Sequence, residues 1–129
     1  MPTGVERVAR TVARSRWLFR IAAAYGLLAL LPMYFQAPTD LTHPEFYYGF
    51  IGIASAWQLA FLLIAQDPVR YRLVILPGIV EKLGFGIPAL VLYAQGRAPA
   101  LVALGGGLDL LFAAAFAWAF VTLGRAATR

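Results

Sequence analysis

Four long apolar runs fill most of the chain, and polar residues collect in the short segments between them. The runs cover 17–35, 46–65, 73–93 and 100–123. Each run is about long enough to cross the hydrocarbon core of a bilayer. Because lipid offers no hydrogen-bond partners, backbone polar groups must be satisfied within the chain, and the runs should be helices. The pattern predicts an all-α fold, with 1–129 forming a single domain: an antiparallel bundle of four transmembrane helices.

The segment before the first run, 4–16, has a different pattern. Val5, Val8 and Val12 recur at helical spacing, and arginines occupy another face. We expect a short amphipathic helix on the cytoplasmic leaflet, attracted to anionic lipid. The alternative is a frayed basic tail. The first run is long for a signal-peptide core and lacks a small-x-small cleavage site behind it, so we expect it to be retained as a helix.

Composition narrows the class of protein further. The chain is 61% hydrophobic and 13% charged, a balance that soluble domains of this length do not have. Its net charge of +5 comes from arginines at the ends of the runs, so nucleic acid is not expected as a partner. The chain has no cysteine, and its single histidine, His43, lies in a loop. We therefore expect neither a metal site nor a cofactor.

The arginines are divided unequally between the two sides of the predicted bundle. If the helices alternate, both termini and the second loop share one side, which carries nine arginines. They are Arg7, Arg10, Arg14, Arg16, Arg20, Arg70, Arg72, Arg125 and Arg129. The other side carries only Arg97. The positive-inside rule then predicts that both termini are cytoplasmic.

Ionisable residues interrupt the apolar runs at the middle of the membrane. At 1.5 Å per residue, Glu81 and Asp109 each lie roughly 13 Å inside their runs, near the centre of a core about 30 Å thick. Gln58 falls at a similar depth. A lone charge there is costly, so these groups should face inward and pair. Lys82 and Asp109 form the expected pair, which leaves Glu81 to find Gln58, a tyrosine hydroxyl, water or a proton.

Two interpretations of these polar groups remain open. They form either a structural network that fixes the register of the helices, or a site for a ligand or a proton. The candidate site consists of Trp57, Gln58, Glu81, Lys82 and Asp109, and no catalytic residue is assigned. Trp57 is included because it lies far from the membrane interfaces, where tryptophan is usually found. The first run brings no such group to this depth, so we expect the first helix to serve mainly in packing.

Proline, aspartate and glycine suggest how the helices begin, bend and approach each other. Asp67 is placed to cap the third helix, with Pro68 at its first position. Pro77 and Pro88 lie in the third run and predict a kink. The glycines at 105–107 allow close approach of the fourth helix to a neighbour, either within one chain or in a homo-oligomer.

Several short motifs add a resemblance to this picture. They are the stretch 43–50, Ala56-Trp57-Gln58, the stretch 67–72, Pro77 and the stretch 81–86. Together they resemble a group of small bacterial four-helix membrane proteins without an assigned function. The resemblance implies a bacterial inner (cytoplasmic) membrane, and it carries over no functional residue.

Three functions are compatible with these features. The favoured hypothesis is binding of a lipid, an apolar small molecule or a proton at the central polar groups. A second is an accessory subunit of a larger membrane complex, held by small-residue and aromatic faces. The third is an intramembrane enzyme in which Glu81 and Asp109 act as acid and base. In each case the lipid bilayer is the main partner.

Overall fold

The computed structural model describes residues 1–128, which are largely helical and contain no strand. The long helices are α1 (Gly4–Leu30), α2 (Pro44–Gln66), α3 (Ile75–Ala94) and α4 (Ala100–Ala127), with short 3₁₀ helices at Leu31–Phe35 and Arg72–Val74. All four are long and apolar enough to span a membrane, which confirms the predicted all-α bundle. Arg129, which contributes to the predicted charge bias, lies outside the described residues.

Helix α1 joins the predicted amphipathic segment to the first span. A capping box starts it: Glu6 N donates to the Thr3 hydroxyl at 3.2 Å, and Thr3 N donates to the Glu6 carboxylate at 2.7 Å. The segment is helical as expected, but it continues into the span and does not form a separate helix. The reason is that no glycine or proline interrupts residues 5–25. Pro32 then ends the α-helix, and the predicted span finishes as a 3₁₀ helix.

Helix α3 begins later than the sequence predicts. Asp67 does act as a cap, since its carboxylate accepts a hydrogen bond from Arg70 N at 3.1 Å. It caps a turn, however, because Tyr71 N donates to the Asp67 carbonyl at 3.0 Å and a 3₁₀ helix follows. The prediction that the third helix begins near Pro68 is therefore wrong, and the regular helix starts at Ile75.

The two prolines of α3 have different consequences. Pro77 lies in the first turn, where a backbone N–H would have no partner within the helix. Pro88 lies inside the helix and removes one internal hydrogen bond, yet α3 continues to Ala94. Of the two prolines, only Pro88 therefore lies where it can cause the predicted kink.

The helices pack as two antiparallel hairpins, α1 with α2 and α3 with α4. Helix α4 also packs on α1, whereas α2 and α3 meet over a shorter length. We call the end that carries both termini and the α2–α3 loop the terminal end. In the half of the bundle nearer to it, the rings of Phe19, Phe61 and Phe116 are fully buried, with centroids 4.5–6.2 Å apart. Three helices therefore meet in one aromatic cluster.

Glycine brings α3 and α4 into close contact. A Cβ atom added to Gly106 would lie 2.7 Å from the Cβ of Ala89 and 3.1 Å from the carbonyl oxygen of Gly86. A Cβ added to the neighbouring Gly107 would meet no atom within 4 Å. One member of the glycine run thus serves packing within the chain, which is the first of the two alternatives that the sequence left open.

Arg72 ties the α2–α3 loop to α4. Its Nε atom donates a hydrogen bond to the carbonyl oxygen of Phe120 at 2.7 Å, and its guanidinium lies 3.8 Å from the centroid of the Phe120 ring. A side chain at Gly124 would collide with this guanidinium. In the sequence, Arg72 is only one of the arginines that indicate the topology. In the structure it also packs against α4.

We expect Gly106→Ala to lower the free energy of unfolding by about 1–3 kcal/mol, because the new methyl group overpacks the α3–α4 contact. Gly107→Ala is the matched control: it adds the same methyl group to open space and should stabilise the helix by up to about 1 kcal/mol. Unfolding in mixed micelles under a titration of denaturing detergent measures both values. Equal effects of the two substitutions would contradict the close packing.

Candidate functional site

The ammonium group of Lys82 is the centre of the polar groups at membrane depth. The residue lies in the middle of α3 and is 2% exposed. Its Nζ atom donates a hydrogen bond to Oδ1 of Asp109 on α4 at 3.3 Å, so the predicted ion pair is present. Nζ also lies 3.5 Å from Oε2 of Glu81. We call Glu81, Lys82 and Asp109 the triad.

Two aromatic rings enclose the same ammonium group. Nζ lies 5.3 Å from the ring centroid of Phe61 on α2 and 5.8 Å from that of Phe112 on α4. At these distances the faces of aromatic rings attract a cation. Neither ring is among the site residues predicted from the sequence, although Phe112 follows Asp109 by three positions and therefore lies on the same face of α4.

Glu81 is the less well satisfied of the two carboxylates. Its Oε2 atom is buried and has no hydrogen-bond partner among residues 1–128, despite its proximity to Lys82. Its side chain is 16% exposed, slightly more than that of Asp109 at 12%. Of the partners expected from the sequence, neither Gln58 nor a tyrosine hydroxyl hydrogen-bonds to Glu81 in this part of the chain.

Gln58 is buried, as expected at this depth, but it faces away from the triad. Its Nε2 atom donates to the carbonyl oxygen of Ala54 at 2.9 Å, one turn earlier in α2. The rest of the amide lies against Gly26 of α1, so closely that a Cβ at Gly26 would collide with it. The structure thus places Gln58 in the α1–α2 contact, where its Oε1 atom has no hydrogen-bond partner within the described chain.

Trp57 reaches the triad only through another side chain. It is half-buried, and its ring lies 6.2 Å from that of Phe61, measured between centroids. Phe61 in turn contacts the ammonium group of Lys82. The five candidate residues therefore separate into a connected triad, an aromatic neighbour and a glutamine that belongs to a different helix contact.

Helix α1 also reaches this region. Tyr25 stacks on Phe112 with a centroid distance of 5.7 Å, and Phe112 is one of the two rings beside Lys82. This contact is a packing contact, in keeping with the role expected of α1, and it places a phenol next to the ring that covers the site. Helices α2, α3 and α4 supply the groups beside the ammonium group, and α1 packs behind Phe112.

Comparisons of the chain with protein-family models, with curated proteins and with solved structures found no match. Over residues 1–128, no group of three or more histidine, aspartate or glutamate side chains is arranged to hold a metal ion. What the triad offers is one ammonium group shared by two carboxylates.

We expect Lys82→Met to destabilise the bundle by about 3–5 kcal/mol, because it leaves the Asp109 carboxylate buried without its cation. The double variant Lys82→Met/Asp109→Leu should recover most of this loss, since it replaces the pair by apolar side chains. Arg97→Met, which removes an exposed cation, should change stability by at most about 0.5 kcal/mol. The free energy of unfolding in detergent micelles is the measurement. A double variant no more stable than Lys82→Met would argue against the pair.

Proposed function

We propose that this chain is a multi-pass protein of a bacterial inner membrane that binds a proton at Glu81, within the triad. The observation that carries the proposal is the mismatch between two carboxylates and one ammonium group at membrane depth. Binding of a lipid or an apolar small molecule at the same place is the alternative to a proton.

The charge of the triad supports a bound proton. If all three groups are ionised, the triad has one negative charge in excess. Such a charge at membrane depth is costly, and no further cationic side chain pairs with the triad in the described part of the chain. One bound proton makes the triad neutral.

The contacts favour Glu81 as the carboxylate that takes the proton. Asp109 accepts a hydrogen bond from Lys82 and forms the better ion pair. Glu81 lies beside the same ammonium group without a hydrogen bond. A proton on Glu81 therefore leaves the Lys82–Asp109 pair intact and removes only the surplus charge.

The enclosure of Lys82 favours a proton over a larger ligand. Two carboxylates and two aromatic rings surround its ammonium group, and both Lys82 and Asp109 are buried. A lipid or an apolar molecule that contacts the triad would have to displace one of these neighbours. The same packing gives less support to an enzyme, in which a substrate must reach both carboxyl groups.

The proposed location rests on the charge bias of the chain and on its resemblance to small bacterial membrane proteins. Eight of the nine arginines on the predicted cytoplasmic side lie within the described residues. Cationic side chains next to a span hold that end in the cytoplasm. We therefore place both termini in the cytoplasm.

We expect reconstituted protein at neutral pH to show the infrared C=O stretch of a protonated carboxylic acid. Glu81→Gln should abolish this band, because the amide cannot hold the proton and leaves a neutral triad. Glu45→Gln, which changes an exposed carboxylate in the first turn of α2, should leave the band unchanged. Absence of the band in the wild-type protein, or its survival in Glu81→Gln, would contradict the assignment of the proton.

The absence of cysteine makes the orientation directly measurable. Thr39→Cys marks the loop between α1 and α2, and Thr128→Cys marks the end of α4. In intact spheroplasts, a membrane-impermeant maleimide should label the cysteine at position 39 and reach position 128 only after permeabilisation. The reverse labelling pattern would overturn the proposed topology.

A further inference from the structure

A crevice opens between α1 and α4 at the terminal end of the bundle. Its volume is about 250 Å³, and arginine and threonine side chains from both helices line it. Arg7 and Thr11 come from α1, and Thr122 and Arg125 come from α4. Because the two helices are antiparallel, residues near the start of one and the end of the other meet here.

Two arginines make the crevice positively charged, and no carboxylate within residues 1–128 lines it. Neither Arg7 nor Arg125 forms an ion pair with an acidic side chain among residues 1–128. Glu6, the nearest acidic residue in sequence, accepts a hydrogen bond from Thr3 N in the capping box and does not line the crevice. Two guanidinium groups from different helices therefore face one small concave space.

The depth of the crevice fits the head-group layer of a bilayer. Trp118 is half-exposed and lies one turn further into the bundle than Thr122, whose hydroxyl donates to the Trp118 carbonyl at 2.8 Å. On α1, the exposed Trp17 likewise lies deeper than Thr11. Tryptophan prefers the interface between hydrocarbon and head groups, so the crevice lies just outside that level.

We infer that this crevice binds a phosphate group, and specifically the head-group phosphate of an anionic phospholipid. Arginine presents several N–H donors in a planar fork that matches the oxygens of a phosphate. The threonine hydroxyls donate to carbonyl oxygens of their own helices, so the guanidinium groups supply the donors. A phosphate bridging Arg7 and Arg125 would hold the first turns of α1 against the last turns of α4.

The site differs from a general attraction of basic residues to lipid. Arg10 and Arg14 are also exposed on α1 and also face the head-group layer, but they do not line the crevice. A diffuse attraction depends on the number of charges, whereas a site depends on where they are. The inference requires a membrane-spanning bundle and is independent of the proton at Glu81.

The test compares two pairs of substitutions with equal charge loss. Full-length protein in mild detergent is mixed with phosphatidylglycerol or phosphatidylcholine, and retained lipid is counted by native mass spectrometry. The wild type should retain phosphatidylglycerol preferentially. Arg7→Gln/Arg125→Gln should weaken this retention by roughly fivefold for each arginine. Arg10→Gln/Arg14→Gln should change it less than twofold. Melting in lipid-free detergent verifies that both variants fold.

The outcomes separate the sources of the phosphate and the rival explanations. Inorganic phosphate that binds the wild type without lipid, and not Arg7→Gln/Arg125→Gln, would support the site and assign it to a soluble phosphate compound. No effect of inorganic phosphate, with loss of lipid retention, supports the phospholipid. Equal losses in the two variant pairs, or none in either, overturn the inference. If the glutamine pair fails to fold, Arg7→Lys/Arg125→Lys keeps the charge and should still lose retention because it removes the paired donors.

Discussion

The buried ammonium group of Lys82 is the constraint on which the arrangement of α3 and α4 depends. A cation at this depth must be paired, and the pair with Asp109 fixes how the two helices are aligned along their lengths. The close contact of Gly86 with Gly106 lies one turn away in the same antiparallel alignment. A slip of one turn would therefore break the ion pair and also place larger side chains at the glycine contact. Electrostatics and packing therefore specify the same register of the α3–α4 hairpin.

Phe61 connects this hairpin to the rest of the molecule. Its ring lies in the apolar cluster with Phe19 and Phe116, and it fills the space left by Gly78 on α3. The centroid of the same ring also lies 5.3 Å from the ammonium group of Lys82, which is a polar neighbour. An aromatic side chain can serve both environments, since its edge packs as hydrocarbon and its face attracts a cation. The boundary between the apolar cluster and the triad is thus formed by this ring of α2 together with Phe112 of α4, which lies between Phe116 and Lys82.

The parts of the structure that the sequence predicts are those that lipid dictates. The four helices follow from backbone hydrogen bonding, and the Lys82–Asp109 pair follows from the cost of a lone charge at their common depth. The direction in which Gln58 points could not be predicted in the same way. It depends on the rotation of α2 about its axis, which is set by the absence of a side chain at Gly26 on another helix. The start of α3 differs from the predicted cap at Asp67 for a local reason. An aspartate cap followed by proline can begin a turn as well as a helix.

The partners of the cationic side chains in this protein differ with their depth in the bundle. Lys82 is surrounded by two carboxylates and two rings, whereas none of the arginines in residues 1–128 forms an ion pair with a carboxylate. At the ends of the helices water and lipid head groups can solvate a guanidinium, so protein partners are unnecessary there. At the centre no such solvent exists, and the protein must supply the whole environment of the charge. Arg72 lies between these limits: it is half-buried near the terminal end and takes a backbone carbonyl and the ring of Phe120 as its partners. The partners of each cation therefore follow from how much solvent its position leaves it.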